Sequence, residues 1–321
     1  MTDYTEFKLA AIQAAPVYFD RKASTQKACE LIRNAGAEGA TIAAFSETWL
    51  PGYPFFVWGS PTEEMFAEYI ANSVEIPSDT TEQLCEAAQK ANLDVVIGIA
   101  ERDNKTQGTV YCTLLFLSNE GEILGRHRKL KPTSRERTIW GEGDGSSLVV
   151  YERPYGKISG LSCWEHNMVL PSYALMALGT NIHIASWPGD EESRHGFLSQ
   201  AFASQAAAYV IDVGAILSPD IVSESYRELA YEQSADSCII NPCGEIIAGP
   251  AQGETILYAD CSMEEIYKAK AFCDVAGHYS RPDIFQLHIN RKPGESILFA
   301  DEHNGGGEQT FLESTLPKES D

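Results

Sequence analysis

Short apolar runs alternate with helically spaced amphipathic stretches along most of the chain. Phe7 to Ala14 is almost continuously apolar and predicts a buried strand, and Arg21 to Gly36 predicts a helix that ends near its glycine. Thr41 to Ser46 reads as a second strand. Leu50-Pro51-Gly52-Tyr53-Pro54 must be loop, because its prolines and glycine fit neither ladder nor helix. Pro61-Thr62-Glu63-Glu64 opens a helix with Thr62 or Ser60 as its cap, and Thr80 to Asn92 forms the next one. Val95 to Ala100 and Val110 to Leu117 are strand-like. The Asn119 to Glu122 turn leads from the latter into a strand closing at Lys129, and Pro132 then redirects the chain.

The second half repeats the theme. Lys157 to Cys163 reads as a buried strand, and Trp164 to Asn167 as the turn into a helix over about Leu170 to Leu178. Next come the strand Asn181 to Ser186, the helix Arg194 to Ala208 with Ser193 as cap, and the strand Tyr209 to Ile216. Ser237 to Asn241 and Glu245 to Ala248 pair across Pro242-Cys243-Gly244. Thr255 to Asp260 is the last strand and Ser262 to Phe272 the last core helix. This mixture predicts an α/β layered protein with mixed sheets. With no linker and no fixed-period repeat, residues 1–300 read as one domain. The acidic, glycine-interrupted segment 301–321 reads as a mobile tail.

Composition narrows the function. The net charge is −22, which argues against nucleic acid or an anionic membrane as partner. The chain opens on a polar, acidic segment unlike a signal peptide, and no apolar run approaches a membrane span. Eight scattered cysteines, without a CxxC pair or zinc spacing, suggest a reducing cytoplasm and predict no metal. Gly141-Glu142-Gly143-Asp144-Gly145 lacks the Lys-Ser/Thr ending of a phosphate loop, so nucleotide binding is rejected and no cofactor is expected.

Three reactive side chains stand at the C-terminal ends of predicted strands: Glu47, Lys129 and Cys163. In open α/β folds that edge is where ligands bind. A thiol beside a base and a cation has the makings of an activated nucleophile. Each residue also has a plainer reading. Glu47 fits a surface carboxylate, but Trp49, Tyr53, Phe55, Phe56 and Trp58 are too many aromatics for an exposed loop and suggest a pocket wall, core or interface. Lys129 lies in a stretch with six basic residues in fourteen, where a solvated surface is the alternative. Glu136 either bonds Lys129 and fixes its head, or simply caps or pairs with a neighbouring arginine. A lone cysteine after a strand is more often structural. His166 is considered as its base, but three residues along a tight turn it is expected to point elsewhere, and His183 and His195 are not placed by the sequence.

The segments FSETWLPGYPFF (45–56), HRKLKPTSRERTIWGEGDGS (127–146), GLSCWEHN (160–167) and DVAGHYSRPDIFQL (274–287) resemble, in content and order, the nitrilase branch of the nitrilase/carbon–nitrogen hydrolase superfamily. The resemblance spans about residues 7 to 290. It implies an αββα sandwich with two mixed sheets that pairs into a four-layer dimer or larger homo-oligomer. It also implies a catalytic triad of Glu47, Lys129 and Cys163, with Glu136 in support. Cys163-Trp164-Glu165-His166 sides with hydrolysis of a nitrile to acid and ammonia, rather than with the amidases that share the triad. Tyr53, Trp164 and Trp187 are the candidate substrate wall. An amidase and a catalytically silent scaffold are the rival readings, and the presence of all three triad residues argues against the second.

Overall fold

A computed structural model describes residues 4–189 and 194–294. Ser193, the end of the expected domain and the acidic segment 301–321 lie outside the described residues.

The first half contributes strands β1 (Glu6–Gln13), β2 (Ile42–Ala44), β3 (Asp94–Arg102), β4 (Val110–Leu117), β5 (Ile123–Arg128) and the short β6 (Trp140–Gly141), with helices α1 (Arg21–Ala37), α2 (Glu63–Asn72) and α3 (Asp79–Ala91). The second contributes β7 (Tyr151–Arg153), β8 (Gly156–Ser162), β9 (Ile182–Ser186), β10 (Tyr209–Val213), β11 (Cys238–Ile240), β12 (Ile246–Ala248) and β13 (Thr255–Ser262), with α4 (Val169–Ala177), α5 (Arg194–Ala206) and α6 (Met263–Phe272). Side-chain oxygens cap α1, α2 and α6. Asp20 accepts from the Ala23 N–H, Thr62 from Met65 and Ser262 from Glu264.

Two mixed sheets result, ordered β13-β1-β2-β3-β4-β5, with β6 beside β4, and β12-β11-β10-β9-β8-β7. Each has three parallel strands at its centre, β1-β2-β3 and β10-β9-β8, with antiparallel strands on either side. Period-two alternation builds the layers. On β1, Leu9 and Ala11 face the second sheet and meet Ile184, Ile211 and Val213, while Ala10 and Ile12 pack against Ala28 and Ile32 of α1 and Leu84 of α3. Behind the second sheet, Ala185, Val210 and Ile240 pack on Phe202 and Ala203 of α5. The result is the αββα sandwich expected from the sequence.

Strand direction then fixes the site. β5 is antiparallel to β4, and β4 to β3, so β5 ends at the same edge as the parallel strands. The segments after β2 and β9 meet there, where the Glu47 N–H donates to the Trp187 carbonyl at 3.2 Å and the Ser186 hydroxyl to the Phe45 carbonyl at 3.3 Å. Among the described residues no helix is long and apolar enough to cross a membrane.

The reactive residues sit slightly beyond the strands expected to end in them. β2 stops at Ala44 because the following segment crosses over β3. That crossing needs Gly98: a Cβ there would lie 2.1 Å from the Ser46 carbonyl oxygen and 2.5 Å from the Thr48 nitrogen. β5 ends at Arg128 and β8 at Ser162, one residue short of Lys129 and Cys163.

Candidate active site

Lys129 is held by its main chain before its side chain acts. Its N–H donates to the Cys112 carbonyl on β4, and its carbonyl accepts from Gly143, both at 2.8 Å. The ammonium, fully buried, donates to Glu47 Oε1 at 2.7 Å and to Glu136 Oε2 at 2.8 Å. It also lies 5.4 Å from the centre of the Trp140 ring. Glu136 is fixed in turn. Oε2 accepts the Thr133 N–H at 2.6 Å, closing a short turn, and Oε1 accepts the Tyr53 hydroxyl at 2.8 Å. Trp58 Nε1 donates to that hydroxyl at 2.9 Å. Tyr53, expected on the substrate wall, has its hydroxyl on Glu136. Lys131 is 48% exposed in its side chain and pairs with Glu142 at the surface.

Glu47 Oε1 accepts from Lys129 and, at 3.2 Å, from the Cys112 thiol. Oε2 is buried without a hydrogen-bond partner among the described residues. Burial pushes this carboxyl up to about 7 against the pull of Lys129, which makes it a base suited to neutral pH. Burial alone would push the Lys129 ammonium down, but Glu47, Cys163 and Glu136 hold it well above its ordinary value, so it stays charged.

Cys163 stands at the sharp turn between β8 and the short helix Cys163–Asn167, with φ at +53°. A left-handed residue with a side chain is strained by about 1–2 kcal/mol. Glu165 holds the turn, since its Oε2 accepts the Ser162 N–H at 2.8 Å. His166 holds it too: a carbonyl only accepts, so Nδ1 donates to the Cys163 carbonyl at 2.8 Å. His166 therefore braces the Cys163 backbone, and its other ring nitrogen lies 3.0 Å from Nε2 of the buried His183. Burial pushes the Cys163 thiol well up. Lys129 and the Trp164 N–H pull it down, while Glu47 and Glu136 add to the rise. The resting thiol is neutral, and it would need a base to act as a nucleophile.

Glu165 also joins the two halves of the site. Its Oε1 accepts the Leu130 N–H at 2.8 Å, and both oxygens lie 3.1 Å from His127 Nε2. One buried carboxylate ties the segment carrying Lys129 to the turn carrying Cys163. Burial would raise Glu165, but His127 and the two backbone donors bring it below its usual value. His127 is raised by Glu165 despite its own burial.

The other expected wall residues separate. Trp187 is buried and stacks on His166 with ring centres 5.1 Å apart, whereas Trp164 is 47% exposed. The His195 side chain lies outside the described residues. Three functional contacts were not read from the sequence. Ser162-Cys163-Trp164-Glu165 has the spacing of a capping box, which would have found Glu165. His127 lies two positions before Lys129, on the same side of an extended chain. Cys112 left no local signal, because only the sheet brings it to Glu47.

A model of the carbon–nitrogen hydrolase family matches residues 8–271. The chain is 49% identical over 311 residues to Nitrilase 2 of an unknown prokaryotic organism, covering 94% of this chain and 98% of that one. It is 34% identical to the aliphatic nitrilase of Rhodococcus rhodochrous over 363 residues, covering 100% of this chain and 98% of the relative. It is 35% identical to an arylacetonitrilase of Aspergillus niger over 310 residues, covering 91% of each chain. Among solved structures, it aligns with Saccharomyces cerevisiae Nit3, a member of branch 10 of the nitrilase superfamily. That TM-score is 0.71 at 21% identity, covering 85% of this chain and 96% of that one.

Proposed function

The chain belongs to the carbon–nitrogen hydrolase family, in its nitrilase branch, and on that premise we propose that it hydrolyses a nitrile R–C≡N to the acid and ammonia through Glu47, Lys129 and Cys163. The observation that carries this reading is the buried ammonium of Lys129 clamped between Glu47 and Glu136, with Glu47 Oε2 left open as a base.

Glu47 takes the Cys163 proton as sulfur attacks the nitrile carbon, and one C–N π bond opens. The proton passes to the nitrogen, giving a neutral thioimidate. Lys129 and the Trp164 N–H stabilise the negative charge that develops on nitrogen during attack. A water, deprotonated by Glu47, adds to the carbon. The amine is protonated and leaves as ammonia, and a thioester remains. A second water, again activated by Glu47, displaces Cys163 and releases the acid. Glu136 and Tyr53 keep Lys129 in place, and Glu165 keeps the Lys129 and Cys163 segments in register.

The substrate is a small nitrile, as supported by relatives named for aliphatic nitriles and arylacetonitriles. The working unit is a homodimer or larger. Leu170, Tyr173, Tyr279, Ile284 and Phe285 line an open groove of about 600 Å³, and Leu170 and Phe285 are 63% and 77% exposed. A second copy of the chain would cover this face. The eight unpaired thiols fit a reducing, cytoplasmic compartment.

Ammonia release over a panel of aliphatic, aromatic and arylacetonitriles tests the reading. At least one nitrile is expected to be turned over, and Cys163→Ala is expected to be folded and inactive. Full activity in that variant would remove the mechanism.

A further inference from the structure

Cys112 is a buried thiol that the mechanism above leaves unused. It lies on β4, opposite Ala100 of β3, in the row with Leu114 and Phe116. Two atoms of this residue touch two members of the triad. Its carbonyl accepts the Lys129 N–H at 2.8 Å, and its thiol donates to Glu47 Oε1 at 3.2 Å. Oε1 also takes a proton of Lys129 Nζ at 2.7 Å, so that oxygen is occupied twice while Oε2 has no partner among the described residues.

We propose that Cys112 is a positioning residue that commits Glu47 Oε1 to a structural role and leaves Oε2 as the oxygen that moves protons. This rests on Glu47 being the base. A carboxylate with one fixed and one open oxygen has a defined orientation, which a base must have to meet a proton along one direction. The thiol is a dependable donor, because burial and the neighbouring Glu47 push it well above its ordinary value and keep its proton on sulfur. Its hydrogen bond favours the ionised form of Glu47, alongside Lys129 and against burial. The other groups in the electrostatic surroundings of Glu47 are Glu136, Cys163, Tyr53 and Tyr69. Filling space is the competing role for a buried cysteine. It predicts sensitivity to volume, whereas the proposal predicts sensitivity to the donor.

Donor and volume separate in Cys112→Val, which keeps bulk without a donor, and Cys112→Ser, which keeps a donor with less bulk. Cys112→Ala has neither. The measurement is kcat/KM against pH with one good nitrile, beside thermal melting of each variant. Removing a donor to the charged carboxylate raises its pKa, so the acid limb is expected to move to higher pH in the Val and Ala variants. At pH 6 a loss of about tenfold in kcat/KM is expected, the low end for a hydrogen bond to a charged group. KM should stay within about twofold, and the curves should converge with the parent only above about pH 9. The Ser variant's acid limb should lie acid of the Ala variant's even if its melting temperature is lower. A Val variant with the parent's limb, or Ser and Ala variants with one common limb, would overturn the proposal. Should Val fail to fold, the Ser–Ala pair alone decides. Glu47→Gln separates the two levels: if it is inactive while the Cys112 limbs do not move, only the role of Cys112 falls. If it is active, the base assignment falls and this proposal with it.

Discussion

Lys129 Nζ lies 2.7 Å from Glu47 Oε1, and the other oxygen of that carboxylate is buried with no hydrogen-bond partner among the described residues. A cation so placed orients the base without occupying it. It also acts electrostatically on Cys163, beside which the proposed attack would develop negative charge on the substrate nitrogen. In the proposed mechanism, base and charge stabiliser are thus one bonded unit.

The first expectation compares Lys129 with Lys131, two positions apart. Lys129 is fully buried between two carboxylates, and Lys131 is a surface residue paired with Glu142. Lys129→Ala is expected to lose at least ~100-fold in kcat, the scale of deleting one charge-stabilising donor. Lys131→Ala should change kcat by less than about twofold, since exposed ion pairs contribute little. Steady-state kinetics on both variants checks this, and the reverse ranking would show that the wrong lysine was assigned.

Much of this was legible in the chain, for identifiable reasons. The layers follow from short apolar runs alternating with helices. Reactive side chains just after those runs had to gather where parallel strands end. What local pattern could not give is contact across strands. Cys112 reaches Glu47 because β4 carries it there, and nothing in Val110-Tyr111-Cys112-Thr113 announces this. The aromatic loop suggests a pocket wall for Tyr53, and nothing in it announces that the hydroxyl meets Glu136. Strand ends were read a residue or more too long because the reactive residues belong to the turns, where the backbone changes direction and Cys163 takes a positive φ.

The pH profile follows from Glu47. Burial raises its carboxyl to about 7, and only the ionised form accepts the thiol proton. Activity should therefore fall as pH drops through about 7, well above the range of an ordinary carboxylate. Measured kcat/KM from pH 5 to 9 checks it. An acid limb near 4.5, the ordinary value for glutamate, would exclude a buried Glu47 as the titrating base.

The His127–Glu165 pair makes a second, separate pH statement, about stability. His127 is raised in the fold, so its contribution is full below its ordinary 6.5 and is lost as pH rises through the higher folded value. Glu165 is lowered, so its contribution is full above its ordinary 4.5 and is lost as pH falls through the lower folded value. The pair acts fully only between about pH 4.5 and 6.5. Breaking a buried pair by removing one charge costs about 3–5 kcal/mol. Glu165→Gln should thus melt well below the parent, with the gap widest inside that window and narrower on both sides. Calorimetry at pH 4, 5.5 and 8.5 reads it directly, and a gap independent of pH would mean that Glu165 acts only by accepting from the Ser162 and Leu130 N–H groups.

Assembly is testable at the groove. Leu170 is 63% exposed, on a helix whose Ala174, Leu175 and Met176 are already buried within the chain. Leu170→Asp would place a charge in an apolar interface. It is expected to shift sedimentation from dimer or larger toward the 35.2 kDa monomer. A parent protein that sediments as a monomer at working concentration would leave the groove without its second copy.

The last expectation separates acid from amide as product. After water adds to the thioimidate, the tetrahedral carbon can expel ammonia and go on to acid, or expel Cys163 and stop at amide. Ammonia leaves well only from a protonated nitrogen. Glu47, raised to about 7, carries a proton for much of the cycle at neutral pH, and Lys129 beside it holds one throughout. Protonating the amine is therefore favoured. The thiol is the other leaving group, and burial destabilises the thiolate that would form. Both effects favour acid, with amide as a minor product. Glu47 takes the proton it delivers from the attacking water, whatever the bulk pH, so the ratio should stay nearly constant with pH. Liquid chromatography of acid and amide from one nitrile at pH 6.5 and 8.5, beside the same amide as starting material, measures both points. Faster hydrolysis of the amide than of the nitrile would move the chain to amide chemistry with the same triad. A ratio that moves strongly with pH would mean that the leaving nitrogen takes its proton from bulk water rather than from Glu47.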